Sequence, residues 1–365
     1  MTTISKSMSR AWQNHAWELA PSKVRWLAPV LLPISLLYSQ LSHWRRISYQ
    51  HNLLSSASVT IPVISIGNLT TGGSGKTPLA IYLVNLLRQQ GFRPGVLMRG
   101  YRRHSSEDIV LSRDAFHPHR IREYGDEAAL MLLHSGAPVG ISPQRAGMAV
   151  RLQEEYQCNV LVLDDGFQHR ALQRDVDLVI LDGANPFGNQ YCLPYGPLRE
   201  PVSALRDASA LILRNEGCTV QLPPDDRPRF RGQLNWLGLL PFGKWREWKE
   251  YPLTELHDFP GKEVHLLSGI GKPAQLERQA QAMGFHVLEH HQFPDHHWFS
   301  EEELHAVRKL AQGKPVLVTE KDAIRLLPLT SPADLQESFF IIRARWQMSQ
   351  EHEFCRWLFS IIQSR

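Results

Sequence analysis

From Ile61 onward the chain alternates short continuous apolar runs with stretches whose apolar residues recur every three or four positions. The runs Val63–Ile66, Gly95–Met98, Pro138–Ile141, Val160–Leu163, Leu178–Leu181 and Ala210–Leu213 predict strands buried on both faces. The spaced stretches Pro78–Gln90, Asp126–His134 and Gln144–Gln157 predict amphipathic helices between them. This alternation predicts an α/β fold, a parallel sheet with helices on both faces. Ligands of such sheets sit beyond the carboxyl ends of the strands. The residues that follow each run are therefore the place to look for chemistry.

A break comes at Gln221–Arg231, where three prolines and paired aspartates read as a linker. Beyond it a smaller α/β block is expected, with strands at Val264–Leu267, His286–Glu289, Val316–Thr319 and Phe339–Ile342. Helices are expected at Ala274–Met283 and from Ser300 to about Gln312, where Ser300 and Glu303 form a capping box. The last segment, Glu351–Ile362, puts Phe354, Trp357, Leu358 and Ile361 on one helical face, as packing requires. Three units result: an N-terminal segment over 1–50, a core over 51–225 and a C-terminal block over 226–365.

The N-terminal unit differs from both blocks. Its apolar run, Trp26 to Tyr38, contains Pro29 and Pro33 and is shorter than the roughly 20 residues that span a bilayer. Lys23 and Arg25 flank it on one side, Arg45 and Arg46 on the other. Trp12, Trp17, Trp26, Tyr38 and Trp44 surround it. No small-residue cleavage site follows, so a signal peptide is not expected. An apolar centre with aromatic rims and basic flanks predicts a segment lying in a membrane interface; the alternative is a helix buried against the core.

Bulk properties add little. The 365 residues carry a formal charge of +4 without a long Lys/Arg block, so no nucleic-acid partner is expected. Four cysteines (Cys158, Cys192, Cys218, Cys355) lack metal-site spacing and predict free thiols in a reducing compartment.

The sharpest signal follows the first run. Ile64-Ser65-Ile66-Gly67 leads into Asn68-Leu69-Thr70-Thr71-Gly72-Gly73-Ser74-Gly75-Lys76-Thr77, and a helix follows. Strand, glycine loop, Lys-Thr and helix form a phosphate-binding loop. Its backbone N–H groups and the helix N-terminus suit phosphate oxygens. Lys76 reaches outer phosphates and Thr77 can hold magnesium. The first glycine of the usual pattern is replaced by Thr70. Asp164-Asp165 ends the strand at Val160–Leu163, the position of metal-binding acids in such folds. Asp126 opens a helix, either as its cap or as a proton acceptor. Arg199 and Glu200 lie between prolines, as an ion pair or as phosphate and metal contacts. Phe293-Pro-Asp-His-His297 reads as a catalytic or substrate contact rather than zinc, because three near-adjacent donors seldom enclose a metal. Thr319-Glu-Lys-Asp322 either contacts nucleotide or caps the next helix.

Together these segments resemble the tetraacyldisaccharide 4′-kinase family, the lipid A 4′-kinases. The residues that carry the resemblance run in order: Ser65-Ile-Gly-Asn68, Thr71–Pro78, Arg99-Gly-Tyr101, Gly125-Asp-Glu127, Asp164-Asp-Gly-Phe-Gln-His169, Gly196-Pro-Leu-Arg-Glu200, Phe293–His297 and Thr319–Asp322. The Thr70 departure is itself family-like. The resemblance implies a P-loop kinase that moves the γ-phosphoryl of ATP to the 4′-hydroxyl of an acylated glucosamine disaccharide 1-phosphate, giving lipid IVA. It implies a peripheral protein on the cytoplasmic face of the inner membrane. Residue by residue, it implies ATP binding by Thr70 through Thr77 and magnesium binding by Thr77, Asp164, Asp165 and Glu200. Asp126 would be the base with His296 as partner, the choice over His297 being open. Arg199 would face the transferring phosphoryl group, and Arg99 and Arg145 the acidic substrate.

A different class shares part of this pattern. Gly72–Thr77 also resembles the loop of membrane-associated regulatory ATPases, which switch by dimerising. Those usually carry lysine where Thr71 stands, and they lack a counterpart of Phe293–His297. A plain ATP-binding scaffold on the membrane is the third possibility.

Overall fold

The structure, a computed structural model, describes residues 27–72, 75–100, 103–183, 185–214, 226–247, 259, 261–329 and 338–364. Gly73, Ser74, Tyr101, Cys218, the aromatic and basic positions up to Trp26, and residues 221–225 of the expected linker lie outside them.

Helix α1 (Ala28–Gln50) has proline in its first turn, where the missing N–H costs nothing, and runs on through Pro33. Its amphipathicity is inverted. The sides turned to the protein carry Ser35, whose hydroxyl donates to Cys192 O at 2.6 Å, and Arg46, which pairs with Asp207 at 3.4 Å. Val30, Ile34, Leu37, Leu41 and Trp44, spaced four and three apart, are 49% to 64% exposed. Among the described residues no helix is long and apolar enough to cross a membrane.

The core follows in the expected alternation: β1 (Val63–Gly67), α2 (Lys76–Gln89), β2 (Pro94–Met98), β3 (Ile109–Leu111), α3 (Asp126–Ser135), β4 (Val139–Ile141), α4 (Arg145–Glu155), β5 (Val160–Asp164), β6 (Val176–Asp182) and β7 (Ala210–Arg214). All of β1, β2, β5 and β7 is buried, which is why they read as unbroken apolar runs. The short edge strand β3, antiparallel to β4, was not expected from the sequence.

A second difference is larger. Arg229–Arg231, read as the end of a linker, already belong to β8 (Arg229–Pro241). Exposed Arg229, Arg231 and Gln233 alternate with buried Phe230 and Gly232, and this half-polar start hides the strand. After β8 come β9 (Glu263–Ser268), α5 (Pro273–Ala282), β10 (His286–Gln292), α6 (Glu301–Ala311), β11 (Val316–Thr319), α7 (Glu320–Leu326), β12 (Phe339–Met348) and α8 (Glu351–Ile362). The expected capping box at Ser300 and Glu303 is present.

One sheet of order β10-β9-β11-β12-β8-β7-β6-β1-β5-β2-β4-β3 runs through both halves. Strand β8 joins β7 in parallel and β12 in antiparallel register. The parallel blocks on either side of that pair therefore point in opposite directions. A bulge between Arg343 and Ala344 bends the joint. The cores are shared across it. Phe354 and Leu358 of α8 pack with Ile64 and Leu79 of the first block. Ala129 and Leu130 of α3 pack with Phe299 and Ile324 of the second. This second contact fixes where the start of α3 sits.

Candidate active site

The phosphate loop joins β1 to α2. Gly75 caps α2 in the left-handed region (φ 86°), which glycine enters without penalty. The other wall of the loop is the 196–200 segment. Thr71 N donates to Pro197 O at 2.8 Å and Arg199 N to Leu69 O at 2.7 Å. Lys76 donates to Asn68 Oδ1 at 3.2 Å and lies 3.6 Å from Asp165.

The paired acids behave differently. The Thr77 hydroxyl donates to Asp164 Oδ2 at 3.0 Å. Asp164 Oδ1 is buried without a hydrogen-bond partner among the described residues. Burial, helped by the charges of Glu127 and Asp165, pushes the Asp164 carboxyl up to about 7. Asp165 takes a left-handed turn (φ 52°) and meets Arg199 Nη1 with both oxygens at 2.8 Å. Burial raises its carboxyl, but Lys76 and Arg199 outweigh this and hold it at about 2. Hard oxygens at Thr77, Asp164 and Asp165 with one buried oxygen unpaired are the donor set that magnesium favours. Glu200 is engaged elsewhere, in a buried pair with Arg170 at 3.2 Å.

Arg145 opens α4, is 3% exposed, and donates to Asp165 O at 3.2 Å. It braces the acid turn from beneath, whereas Arg99, after β2, is exposed. His169 lines the same cleft, and its imidazole is pushed down to about 4 by burial and by Arg145, Arg174, Arg45 and Arg99.

Across the cleft stands Asp126. Gly125, at φ 89°, turns the chain into α3 and leaves Asp126 at its first position, 5% exposed. Asp126 Oδ1 accepts from Glu127 N at 3.0 Å; Oδ2 lies 2.9 Å from His296 Nδ1. Burial raises this carboxyl too, but the His296 hydrogen bond and the charges of Lys321 and Arg325 hold it at about 2. His296 reaches Asp126 from a left-handed turn (φ 63°) anchored by its N–H on Gly269 O at 3.1 Å. Its neighbour turns away: His297 stacks on Phe293 at 4.7 Å and meets Glu303 at 2.9 Å. The two imidazoles thus serve different carboxylates and do not converge on a metal.

Sequence reasoning left the Thr319–Asp322 segment undecided and missed Arg325. Thr319 caps α7 through Asp322 N. Asp322 accepts from Gly269 N at 2.8 Å and pairs with fully buried Arg325, which also lies 3.8 Å from Asp126. The signal was the spacing of three between Asp322 and Arg325 on one helix. Lys321 lies 3.3 Å from Glu127 and 3.3 Å from His296 Nε2. Phosphate loop, acid pair, Arg99, Arg145, Arg199, Asp126 and His296 all line one cleft of about 2530 Å³, which extends to Tyr38 and Leu41 of α1.

The family model described as Tetraacyldisaccharide-1-P 4'-kinase (LpxK) matches residues 27–363. A Tetraacyldisaccharide 4'-kinase of Methylobacillus flagellatus is 34% identical over 89% of this chain and 88% of its own length. One of Azoarcus sp. is 38% identical over 88% of this chain and 91% of its own. Among solved structures, LpxK from Aquifex aeolicus in complex with ATP superposes with a TM-score of 0.74 at 30% identity, covering 92% of this chain and 99% of that one. With a match that spans both halves of the sheet and every segment lining the cleft, the chain belongs to the tetraacyldisaccharide-1-P 4'-kinase family.

Proposed function

We propose that this chain transfers the γ-phosphoryl of ATP to the 4′-hydroxyl of a tetraacylated glucosamine disaccharide 1-phosphate, with Asp126 receiving the hydroxyl proton. The observation that supports this most directly is the Asp126–His296 pair facing the same cleft as the phosphate loop. A regulatory ATPase that only switches on nucleotide has no use for such a pair.

In this reading Thr70 through Thr77 cradle the triphosphate and Lys76 meets its outer oxygens. Thr77, Asp164 and Asp165 would hold magnesium, which would neutralise phosphate charge; Glu200, paired with Arg170, could join them only by leaving that pair. Arg199 already neutralises Asp165 and turns to the moving phosphoryl group as charge shifts there. His296 orients the Asp126 carboxylate, each oxygen of which keeps a lone pair for the sugar hydroxyl. The hydroxyl oxygen bonds to phosphorus, the bond to the β-phosphate oxygen breaks, and ADP departs while Asp126 holds the proton. Exposed Arg99 offers a planar fork to the substrate's acidic group, with Arg145 behind it. The exposed apolar stripe of α1, at the mouth of the cleft, lies in the bilayer interface on the cytoplasmic face, where an acylated substrate stays.

The test is direct. Purified protein is incubated with γ-labelled ATP, magnesium and the disaccharide 1-phosphate in detergent micelles. Label at the 4′-position, absent with Lys76→Ala, supports the kinase. ATP binding without transfer to lipid overturns it.

A further inference from the structure

Lys321 is the first cation met on leaving His296 from the side opposite Asp126. Its Nζ lies 3.3 Å from His296 Nε2, 3.3 Å from Glu127 Oε1 and 3.8 Å from Asp295 Oδ1. Burial disfavours its ammonium, yet Glu127, Asp126 and Asp295 more than restore it, so Lys321 stays charged. Its backbone is fixed, because Thr319 caps α7 and Asp322 and Arg325 tie that helix to Gly269. Gly269 O in turn holds the His296 amide. Lysine and imidazole are thus set against each other by one rigid loop and one helix.

The chemistry of the pair is one-sided. An ammonium has three hydrogens and no lone pair, so toward Nε2 it can only donate. An accepting Nε2 places the single proton of a neutral ring on Nδ1. Nδ1–H then donates to Asp126 Oδ2, the contact seen at 2.9 Å. The other tautomer would set two donors against each other at Nε2 and two acceptors at Nδ1. Among the described residues, Asp295, with Oδ2 3.8 Å from Nε2, is the carboxylate placed to favour that alternative. It is farther away than Lys321 and is itself drawn toward Lys321.

We propose that Lys321 is a positioning residue that selects the Nδ1–H tautomer of His296 and so aims the Asp126 carboxylate at the sugar hydroxyl. This rests on Asp126 being the base of the reaction proposed above. Lys321 touches neither the reacting oxygen nor the phosphoryl group in this scheme; it acts through the imidazole.

Tautomers are read from the ¹⁵N resonances of histidine-labelled full-length protein, with His296 assigned by its loss in His296→Gln. In the native chain Nδ1 carries the proton and Nε2 does not. In Lys321→Met, and in Lys321→Gln should the methionine variant fail to fold, the Nε2–H form becomes populated. Turnover then falls on the order of 10- to 100-fold, the cost of a misaimed catalytic group, while KM for ATP holds. Lys321→Arg, another cation without a lone pair, restores the native tautomer and most of the rate. A native His296 protonated on Nε2, or ring signals unmoved in both variants, overturns the proposal. The resonances need no lipid phosphorylation, so they are read separately from the assay that tests the kinase reaction.

Discussion

His296 Nδ1 lies 2.9 Å from Asp126 Oδ2, although 170 residues separate them in the chain. One sits at the start of α3 in the first block, the other on the turn after β10 in the second. Their meeting is enforced by the core that Ala129 and Leu130 share with Phe299 and Ile324, and by Arg325, buried between Gly269 and Asp126. In the proposed reaction the two halves therefore act as one unit, with the phosphate loop in one and the partner of the proposed base in the other.

The adjacent histidines should separate cleanly. His296→Gln removes the group that orients Asp126 and is expected to lower turnover by about 100-fold or more. His297→Gln breaks contacts with Glu303, Phe293 and Phe299 and none with Asp126, so turnover stays near native and stability drops by about 1 kcal/mol. Steady-state rates and chemical unfolding of the two variants check this. Equal rate losses would refute the distinction.

Gly67 ends β1 where the acid turn passes over it. A Cβ there would stand 2.4 Å from Phe167 Cβ and 2.9 Å from Phe167 N. Gly67→Ala must push back the segment that follows Asp164-Asp165. The expected cost is about 1–3 kcal/mol from overpacking, with weaker magnesium-dependent ATP binding. Thermal melting and nucleotide titration measure both effects. A native melting temperature would show that the segment yields freely.

His169 sets a pH dependence of stability. Its folded pKa, about 4, lies below the ordinary 6.5 because of burial and the surrounding arginines. Between those values the unfolded chain binds the proton and the folded chain does not, so stability rises with pH across that window and is lost as pH falls through it. His169→Gln should flatten the melting temperature between pH 4 and 6.5 relative to the native chain and leave it unchanged at pH 8. An identical slope in the two proteins would contradict this.

Much of this was readable from the residues. Apart from the short edge strand β3, the strands of the first block announced themselves because burial on both faces leaves long apolar runs. The phosphate loop needs glycine, lysine and threonine at fixed offsets, so its residues are visible locally. Strand β8 was hidden because its start exposes Arg229, Arg231 and Gln233 on alternate positions in a proline-rich stretch. The choice of His296 over His297 could not be read, since it depends on the left-handed turn at His296 that sends neighbouring rings to opposite sides. Lys321 and Arg325 act across the fold, and no local spacing ties them to Asp126.

The most direct test of the central claim replaces Asp126 by asparagine, which keeps the shape and removes the basicity. ATP affinity by titration calorimetry and single-turnover phosphoryl transfer to the lipid are then compared with the native chain. The account predicts a loss in transfer of about 10²–10⁴-fold with ATP affinity nearly unchanged. Equal losses in affinity and transfer, or native transfer, would contradict Asp126 as the proton acceptor.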